Sequence, residues 1–384
     1  MLSSLRNLIP NSLVNTFWHL PKAIIANLSF GFPSRKLTVI GVTGTSGKTS
    51  TAHLIYHLLL SAKFKVALIS TISAKIGKKE INIGLHVTNP DPFVLQSLLK
   101  DIADKGYTHV VLEVTSHGLD QHRCWGINFR YGLITNLAHE HLDYHKTLKN
   151  YHQAKLKLIK QADVAVLNQD DKHFKLAKSK AKKTLLPYDS SQDFRQTNIN
   201  AASVIVEDLG ISQKQINSSL KSFPGVPGRM EFIQTKPFTI VIDFAHKPDA
   251  LEAALKAFHE LKPKRIISVF GCAGLRDSLK RPVMGQISAK LSDITILTAE
   301  DPRTESVKSI NDQIAKGFKK AKGKNLYRIP DRQRAINKAI NLAKKGDLVV
   351  LFGKSHERSM CFGTIEYPWS EYQAVNKALK GKKK

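Results

Sequence analysis

Sulfur and acidic side chains are both scarce in this chain. Its three cysteines, Cys124, Cys272 and Cys361, are odd in number and scattered without any C-x-x-C spacing. That pattern argues against a structural zinc and points to a reducing compartment. No apolar run approaches the roughly 20 residues of a membrane span. Zinc-finger spacing, an RNP-like aromatic strand and an internal repeat of about 20 to 50 residues are all missing, so nucleic acid is not expected as a partner. Asp and Glu number 31 against 59 Lys and Arg, a net charge of +28. Many of the lysines fall on solvated helix faces and in two runs, at 178–183 and 380–384. Such an excess suits nucleic acid, an anionic membrane or a polyanionic substrate, and by itself selects none of them.

What remains is the composition of a soluble globular protein of two or three domains: 384 residues, 42% apolar, with 22 glycines and 15 prolines. Residues 1–36 form an apolar, aromatic segment interrupted by Pro10, Pro21 and Pro33. It lacks the continuous apolar stretch and cleavage site of a signal peptide. Two readings stay open for it: packing against the protein itself, and weak attachment of residues 1–32 to a membrane surface.

The stretch VIGVTGTSGKTSTAHLIYHLL, from Val39 to Leu59, places glycines and hydroxyl residues between a strand pattern at 37–42 and a helical pattern at 48–61. A turn of this kind aims backbone N–H groups at one point, beside the positive end of a helix. Lys48 can reach outer phosphates and Thr49 can offer a hydroxyl to Mg²⁺. The spacing departs by one residue from the strict phosphate-loop pattern, whose first glycine would fall on Val42 and stands instead at Gly41.

Strand-like runs recur at 66–70, 109–114, 131–137 and 164–168, with helical patterns at 92–105 and 147–159. A second series follows at 238–245, 265–271, 294–298, 326–329 and 347–352, with helices at 248–260 and 278–291. This alternation predicts an α/β chain with helices covering parallel sheets. The Pro- and Gly-rich stretch 223–228 marks the junction, which gives a short segment 1–36, a nucleotide-binding domain 37–222 and a second domain 223–384.

Open α/β sheets bind ligands at the carboxyl ends of their strands. LEVTSHGLDQHRCWG puts Glu113 where a carboxylate can hold a metal beside cradled phosphates. TNLAHEHLDYH offers His141 and Asp143 for a second metal or nucleotide contact, and Lys155 follows early in a helical pattern. In the second series DFAHKPDA, GCAGLRDSLKRPVMG, TAEDPRTES and GKSHERS each form a polar cluster after a strand. Asp243 as a buried acid, His246 as a core histidine and Asp301 as a turn residue are ordinary alternatives taken singly. Taken together, the clusters imply a cleft with nucleotide on one wall and an amino-acid substrate on the other.

The ordered set GTSGKTS, EVTSHGLDQHR, TNL-x3-HLDYH, AK, GVPGRME, DFAHKPDA, GC-x-G-x-RD-x3-KRP-x-MG, DPR-x-E and GK-x-HE resembles the Mur ligases, from about residue 37 to the C-terminus. Within that family the likeness is to the members that add the third amino acid of the peptidoglycan stem. The resemblance implies a P-loop parallel-sheet ATPase domain followed by a Rossmann-like ligase domain, in a cytoplasmic, monomeric enzyme of cell-wall synthesis. It implies ATP and Mg²⁺ as cofactors, and a muramoyl dipeptide and a diamino acid as substrates joined through an acyl phosphate. On this resemblance Gly44, Thr45, Ser46, Gly47, Lys48, Thr49 and Ser50 hold phosphates, with Asn136, Arg229, Asp243 and His246 around the nucleotide. Thr49, Glu113 and His141 are metal ligands, joined by Lys155 once carbamylated; Lys48, Glu113, His141 and Lys155 are the catalytic set. Thr88, Asn89, Thr115, Gln121 and Arg123 grip the muramoyl peptide. Arg276, Glu300, Asp301, Arg303, Gly353 and Glu357 form the amino-acid pocket.

Arg303 goes, in the family, with meso-diaminopimelate, whose distal carboxylate a guanidinium can hold. Several positions differ from the family pattern. D-N-P-R has become Glu300-Asp301-Pro302-Arg303, and the acid at 301 is expected to favour a cationic amine such as lysine. R-D-H has become His139-Glu140-His141, G-K-G-H-E carries Ser355, and Val87 and Asn89 alter an N-T-T stretch. Only residues 1–36 stand where the family has a UDP-binding domain, and 188–198 is short for its accessory sheet. A donor without UDP, such as a lipid-linked one, therefore stays open, as do a folylpolyglutamate-synthase-like ligase and a basic nucleotide-dependent binding module.

Overall fold

The computed structural model describes residues 10–84, 88–138 and 140–382. Val87, His139 and the side chain of Asp143 lie outside the described residues. The chain divides into two compact units, one ending at Pro224 and one starting at Gly225.

The first unit is built on an eight-stranded sheet. Its strands are β1 (Thr38–Thr43), β2 (Val66–Ile69), β3 (Ala74–Ile76), β4 (Lys79–Ile81), β5 (His109–Glu113), β6 (Phe129–Ile134), β7 (Val164–Asn168) and β8 (Thr184–Tyr188). Their spatial order is β4-β3-β2-β5-β1-β6-β7-β8. The central strands are parallel, and the β2-β3-β4 edge is antiparallel. Central strands such as TVIGVT and HVVLE are almost continuously apolar because helices cover both faces, leaving no solvent side to alternate towards. One face packs Ile40, Val42 and Val111 under the helix α2 (Lys48–Ser61). The other packs Val39, Val110 and Leu112 against α3 (Pro92–Asp104). Sequence-local caps fix where these helices start: Asp91 accepts from Phe93 N ahead of Pro92, and Thr147 accepts from Asn150 N ahead of α4 (Leu148–Gln161).

Before the sheet, one helical turn (Asn11–Val14), a π-helical turn (Asn15–His19) and α1 (Leu20–Phe30) run on continuously, and α1 packs on α3. The described part of the N-terminal segment is thus docked on its own unit. No described helix is long and apolar enough to cross a membrane.

The second unit has a six-stranded sheet ordered β13-β12-β11-β14-β10-β9. It comprises β9 (Glu231–Gln234), β10 (Thr239–Asp243), β11 (Ile266–Phe270), β12 (Ile294–Leu297), β13 (Leu326–Arg328) and β14 (Leu348–Phe352). All pairings are parallel except β9 with β10. A small hairpin, β15 (Ser359–Phe362) with β16 (Ile365–Pro368), follows the sheet. Among the described residues five helices accompany it: α5 (Pro248–His259), α6 (Lys280–Leu291), α7 (Val307–Lys320), α8 (Arg332–Leu342) and α9 (Glu371–Lys382). Both sheets are of the predicted parallel α/β kind. The β3-β4 hairpin, β8, β9 and the β15-β16 hairpin are additions that the sequence patterns did not mark.

Candidate active site

In the first unit, β1 ends at Thr43, the chain turns through Gly44–Gly47, and α2 begins at Lys48. The turn exists because two positions admit no side chain. A Cβ on Gly44 would lie 1.8 Å from Thr135 Oγ1, and one on Gly47, at φ +82, 2.6 Å from Asn198 Oδ1. The loop is then tied from below. Thr45 N and Ser46 N donate to Asn136 Oδ1 at 3.1 and 3.0 Å, while Asn136 Nδ2 and Thr135 Oγ1 donate to Ser46 O. Asn136 therefore shapes the phosphate loop itself. Ser50 lies half-buried in the first turn of α2.

Lys48 curls over the turn, its ammonium donating to Gly44 O and Thr45 O at 3.0 and 3.1 Å. Lys155, buried in α4, donates to the same Gly44 carbonyl at 2.5 Å and sits over the Tyr151 ring. Thr49 Oγ1 donates to Glu113 Oε1 at 3.0 Å, and the other carboxylate oxygen accepts Thr71 N at 2.9 Å. Glu113 is buried at the end of β5, where the parallel sheet delivers it beside the head of α2. Tyr151 OH joins Thr45 Oγ1 to Glu140 Oε2, and Glu140 faces His141 Nε2 at 3.3 Å. His141 has a left-handed backbone, φ 52, and its ring meets that of His117 edge-on at 4.8 Å. Lys48, Lys155 and His141 are thus linked through Gly44, Thr45, Tyr151 and Glu140, and the Thr49–Glu113 pair adjoins them in the first turn of α2. Burial, with the neighbouring His117, pushes His145 down to about 4, so this histidine is neutral near pH 7.

Among the described residues no group of three His, Cys, Asp or Glu could hold a metal unaided. The pair at the loop is a hydroxyl and a carboxylate, both hard oxygen donors. Mg²⁺ takes one or two protein oxygens and completes its shell with phosphate oxygens and water, so these residues fit it in company with a nucleotide.

The residues expected to grip the muramoyl peptide adjoin the Thr49–Glu113 pair. Thr88 Oγ1 lies 2.8 Å from Thr71 Oγ1, which connects it to Glu113 through the Thr71 amide. Asn89 is turned inward: Nδ2 donates to Glu113 O, and Oδ1 accepts from both Thr115 N and Thr115 Oγ1. Its own carbonyl accepts Arg123 Nη1 at 2.6 Å, while Arg123 Nε donates to Gln121. Asn89 thus orients Thr115 and Arg123 as a small frame.

In the second unit, Asp243 ends β10. Its carboxylate accepts from Ala245 N and Met230 N at 2.8 and 2.7 Å. Burial raises its pKa, and these hydrogen bonds with the Arg229 charge oppose the rise. The Arg229 guanidinium lies over the Phe244 ring, and His246 packs on the same ring with Nδ1 at 2.9 Å from Phe244 O. Arg229, Asp243 and His246 therefore gather around Phe244.

A second cluster forms where β12 and β14 end. The Lys354 ammonium, fully buried, bridges Asp301 Oδ1 at 2.9 Å and Glu357 Oε2 at 2.6 Å. Asp301 Oδ1 also accepts Cys361 N. The acid at position 301 thus answers an internal ammonium and an amide, which removes the expectation that it shifts preference towards a cationic substrate. Arg303, at φ 54, is fixed by backbone bonds to Cys361 and Gly363, and its Nη1 donates to Gly274 O. Glu300 is buried beside Gly353, whose Cβ would approach its Oε2 to 2.9 Å. Burial pushes the Glu300 carboxyl up to about 7, against the attraction of Lys280. Glu300, Asp301, Arg303, Gly353 and Glu357 come together here, while Arg276 lies exposed on the loop after β11.

Lys354 and Asn198 were missed in the sequence. Lys354 sits in the quoted GKSHERS, where a lysine directly after an apolar strand was the available signal. Asn198 lies within a helix and carries no local signal; only its approach to Gly47 and its bond from Thr51 Oγ1 bring it to the loop.

Residues 42–228 match the Mur ligase middle domain, and 228–355 match the Mur ligase glutamate ligase domain. The UDP-N-acetylmuramoyl-L-alanyl-D-glutamate–2,6-diaminopimelate ligase of Aquifex aeolicus (strain VF5) is 37% identical over 92% of this chain and 79% of its own length. That of Clostridium tetani (strain Massachusetts / E88) is 37% identical over 87% and 76%. A solved structure of a ligase of the same name aligns over 91% of this chain and 79% of its own, with TM-score 0.60 and 30% identity. The folylpolyglutamate synthase of Mycobacterium tuberculosis, solved with ADP and AMPPCP, aligns with TM-score 0.73 at 17% identity over 88% of this chain and 93% of its own. This last likeness concerns the fold alone.

Proposed function

The chain belongs to the Mur ligase family and is an ATP-dependent ligase, and from that premise we propose that it joins 2,6-diaminopimelate to a muramoyl-L-alanyl-D-glutamate precursor in peptidoglycan synthesis. The observation that carries this reading is the Thr49–Glu113 pair at the head of α2, within a glycine turn that Lys48 and Lys155 both touch. Such an arrangement binds a nucleoside triphosphate and neutralises its outer phosphates.

In the proposed reaction a carboxylate oxygen of the dipeptide attacks the γ-phosphorus of ATP. A C–O–P linkage forms and ADP leaves. The amine of the incoming amino acid then attacks the acyl carbon, and the tetrahedral intermediate expels inorganic phosphate as the nitrogen loses its proton. Lys48 offsets the repulsion between carboxylate and triphosphate, an electrostatic contribution largest in the transition state. Thr49, Glu113 and His141 would hold a magnesium ion, which would supply further charge neutralisation when bound. Lys155 carries a carbamate in this reading: its ammonium gives up one proton, and the neutral amine then forms an N–C bond to CO₂ and sheds a second, which turns a buried cation into an anionic oxygen donor. Thr88, Thr115, Gln121 and Arg123 hold the muramoyl peptide with Asn89 behind them, and Asn136, Arg229, Asp243 and His246 serve the nucleotide. Arg303 selects diaminopimelate by pairing with its distal carboxylate. The enzyme works as a monomer in the cytoplasm, where its three buried, free cysteines stay reduced.

An amino-acid panel tests the assignment. With ATP and the muramoyl dipeptide supplied, meso-diaminopimelate is expected to drive phosphate release far faster than L-lysine or L-ornithine. Equal rates with L-lysine would overturn the diaminopimelate assignment.

A further inference from the structure

Helices on the surface of globular proteins bury their large apolar side chains and turn polar ones outward. The N-terminal helical stretch does the reverse. Its fully buried residues are small or polar, namely Ala23, Ala26, Asn15 and Asn27, while Leu20, Ile24 and Phe30 are half-buried. Asn15 Nδ2 donates to Asp120 Oδ2 at 2.8 Å, and Asn27 Nδ2 donates to Trp125 O at 2.7 Å. Lys22 pairs with Asp91 at 2.5 Å at the foot of α3. These bonds fasten the stretch to the first unit without using its aromatic content. Phe17 and Trp18 remain 75% and 68% exposed, and Ile25 and Leu28 55% and 64%. Positions 18, 21, 25 and 28 follow helical spacing, so Trp18, Pro21, Ile25 and Leu28 form one outward stripe with Phe17 beside it.

A contiguous apolar stripe of this kind marks an interaction surface. Charge identifies what it meets. The first acidic residue of the chain is Glu80, while residues 1–79 contain ten Lys and Arg, and the whole chain carries +28. An anionic surface attracts such a protein over several ångströms, and Trp and Phe on a helix lying flat are suited to the boundary between lipid headgroups and acyl chains. We infer that this stretch docks the protein on an anionic phospholipid bilayer, with Phe17, Trp18, Ile25 and Leu28 entering the interface and the basic N-terminal region supplying the attraction. The attachment is peripheral and reversible. It is independent of the ligase chemistry, because none of these residues belongs to either strand-end cluster.

The test uses the full chain, sedimented with vesicles of phosphatidylcholine alone or containing roughly one third phosphatidylglycerol. Binding is expected to the anionic vesicles only, with a blue shift of tryptophan fluorescence and with phosphate release in lipid-free solution unaffected. The exposed double variant Phe17→Ser/Trp18→Ser is expected to keep the fold and the activity while its vesicle partitioning falls about tenfold or more. Equal sedimentation with neutral vesicles would overturn the proposal. So would undiminished binding of the variant, which would mean adsorption by charge alone. A concentration-dependent dimer of the wild type that the variant abolishes, without lipid binding, would assign the stripe to a second copy and equally overturn it.

Discussion

At the scale of single residues, the second-unit pocket turns on where charge is already spent. Lys354 is engaged by the carboxylates of Asp301 and Glu357, and in the proposed reaction Arg303, held by Gly274 O, pairs with the distal carboxylate of the amino acid. Arg303→Ala is expected to weaken the diaminopimelate reaction, in kcat/KM, by about 1.5–3 kcal/mol, with the residual L-lysine rate little changed. Glu300 gives a second prediction. The unfolded carboxyl loses its proton near 4.5, whereas the buried one keeps it up to about 7. Between those values the unfolded chain binds fewer protons, so this group's contribution to stability declines as pH rises through the interval and is flat above it. In Glu300→Gln that decline should vanish when denaturant midpoints are compared from about pH 4.5 to about pH 7. Parallel curves for the two proteins would show that Glu300 does not titrate there. Ser355 explains one departure from the family motif. Its backbone is left-handed, φ 49, which glycine adopts without cost, and its Oγ recovers part of that cost by donating to Gly228 O at 2.6 Å.

At the scale of elements, the pocket loops depend on an ion pair buried behind them. Arg332, in the first turn of α8, reaches Glu371 of α9 through Nε and Nη2. The same guanidinium donates to Ala299 O and Phe352 O, the carbonyls just before Glu300 and Gly353. Arg332 is a positioning residue. Glu371→Gln, which leaves the guanidinium buried without its counter-charge, is expected to lower unfolding stability by about 3–5 kcal/mol and to raise KM for the amino acid more than it lowers kcat. A stability loss with an unchanged KM would confine the pair to packing. The elements legible in the sequence were those with the strongest periodicity. Strands covered on both faces, such as β5, β7 and β14, read as apolar runs, and α2 and α3 as helical patterns between them. What escaped has a common physical character. Strands β4, β9 and β16 are only three or four residues long and none has a fully buried residue, so they lack a sustained apolar run. The N-terminal stretch hid its helix because the large apolar residues face outward, the opposite of the pattern that signals a packed helix. Within the site, the glycine turn, Glu113 and Lys155 were legible from motif and position. The service of Asn136 beneath the loop, the inward turn of Asn89 and the bridge through Lys354 are relations between distant segments that only the fold brings together.

At the scale of the whole molecule, the account joins two strand-end clusters, one in each compact unit, to a single reaction. In the proposed reaction the first binds the triphosphate with its oxygen donors, and the second, which bears Arg303, receives the amino acid. A nucleotide-dependent binding module would need the first alone, and the buried polar work around Lys354 would then serve no ligand. The most direct test is steady-state phosphate release from ATP by the intact protein, with the muramoyl dipeptide and meso-diaminopimelate each present or withheld. The account predicts turnover only when both are supplied, with stoichiometric formation of the new amide. Phosphate released at the same rate with either one missing would contradict it.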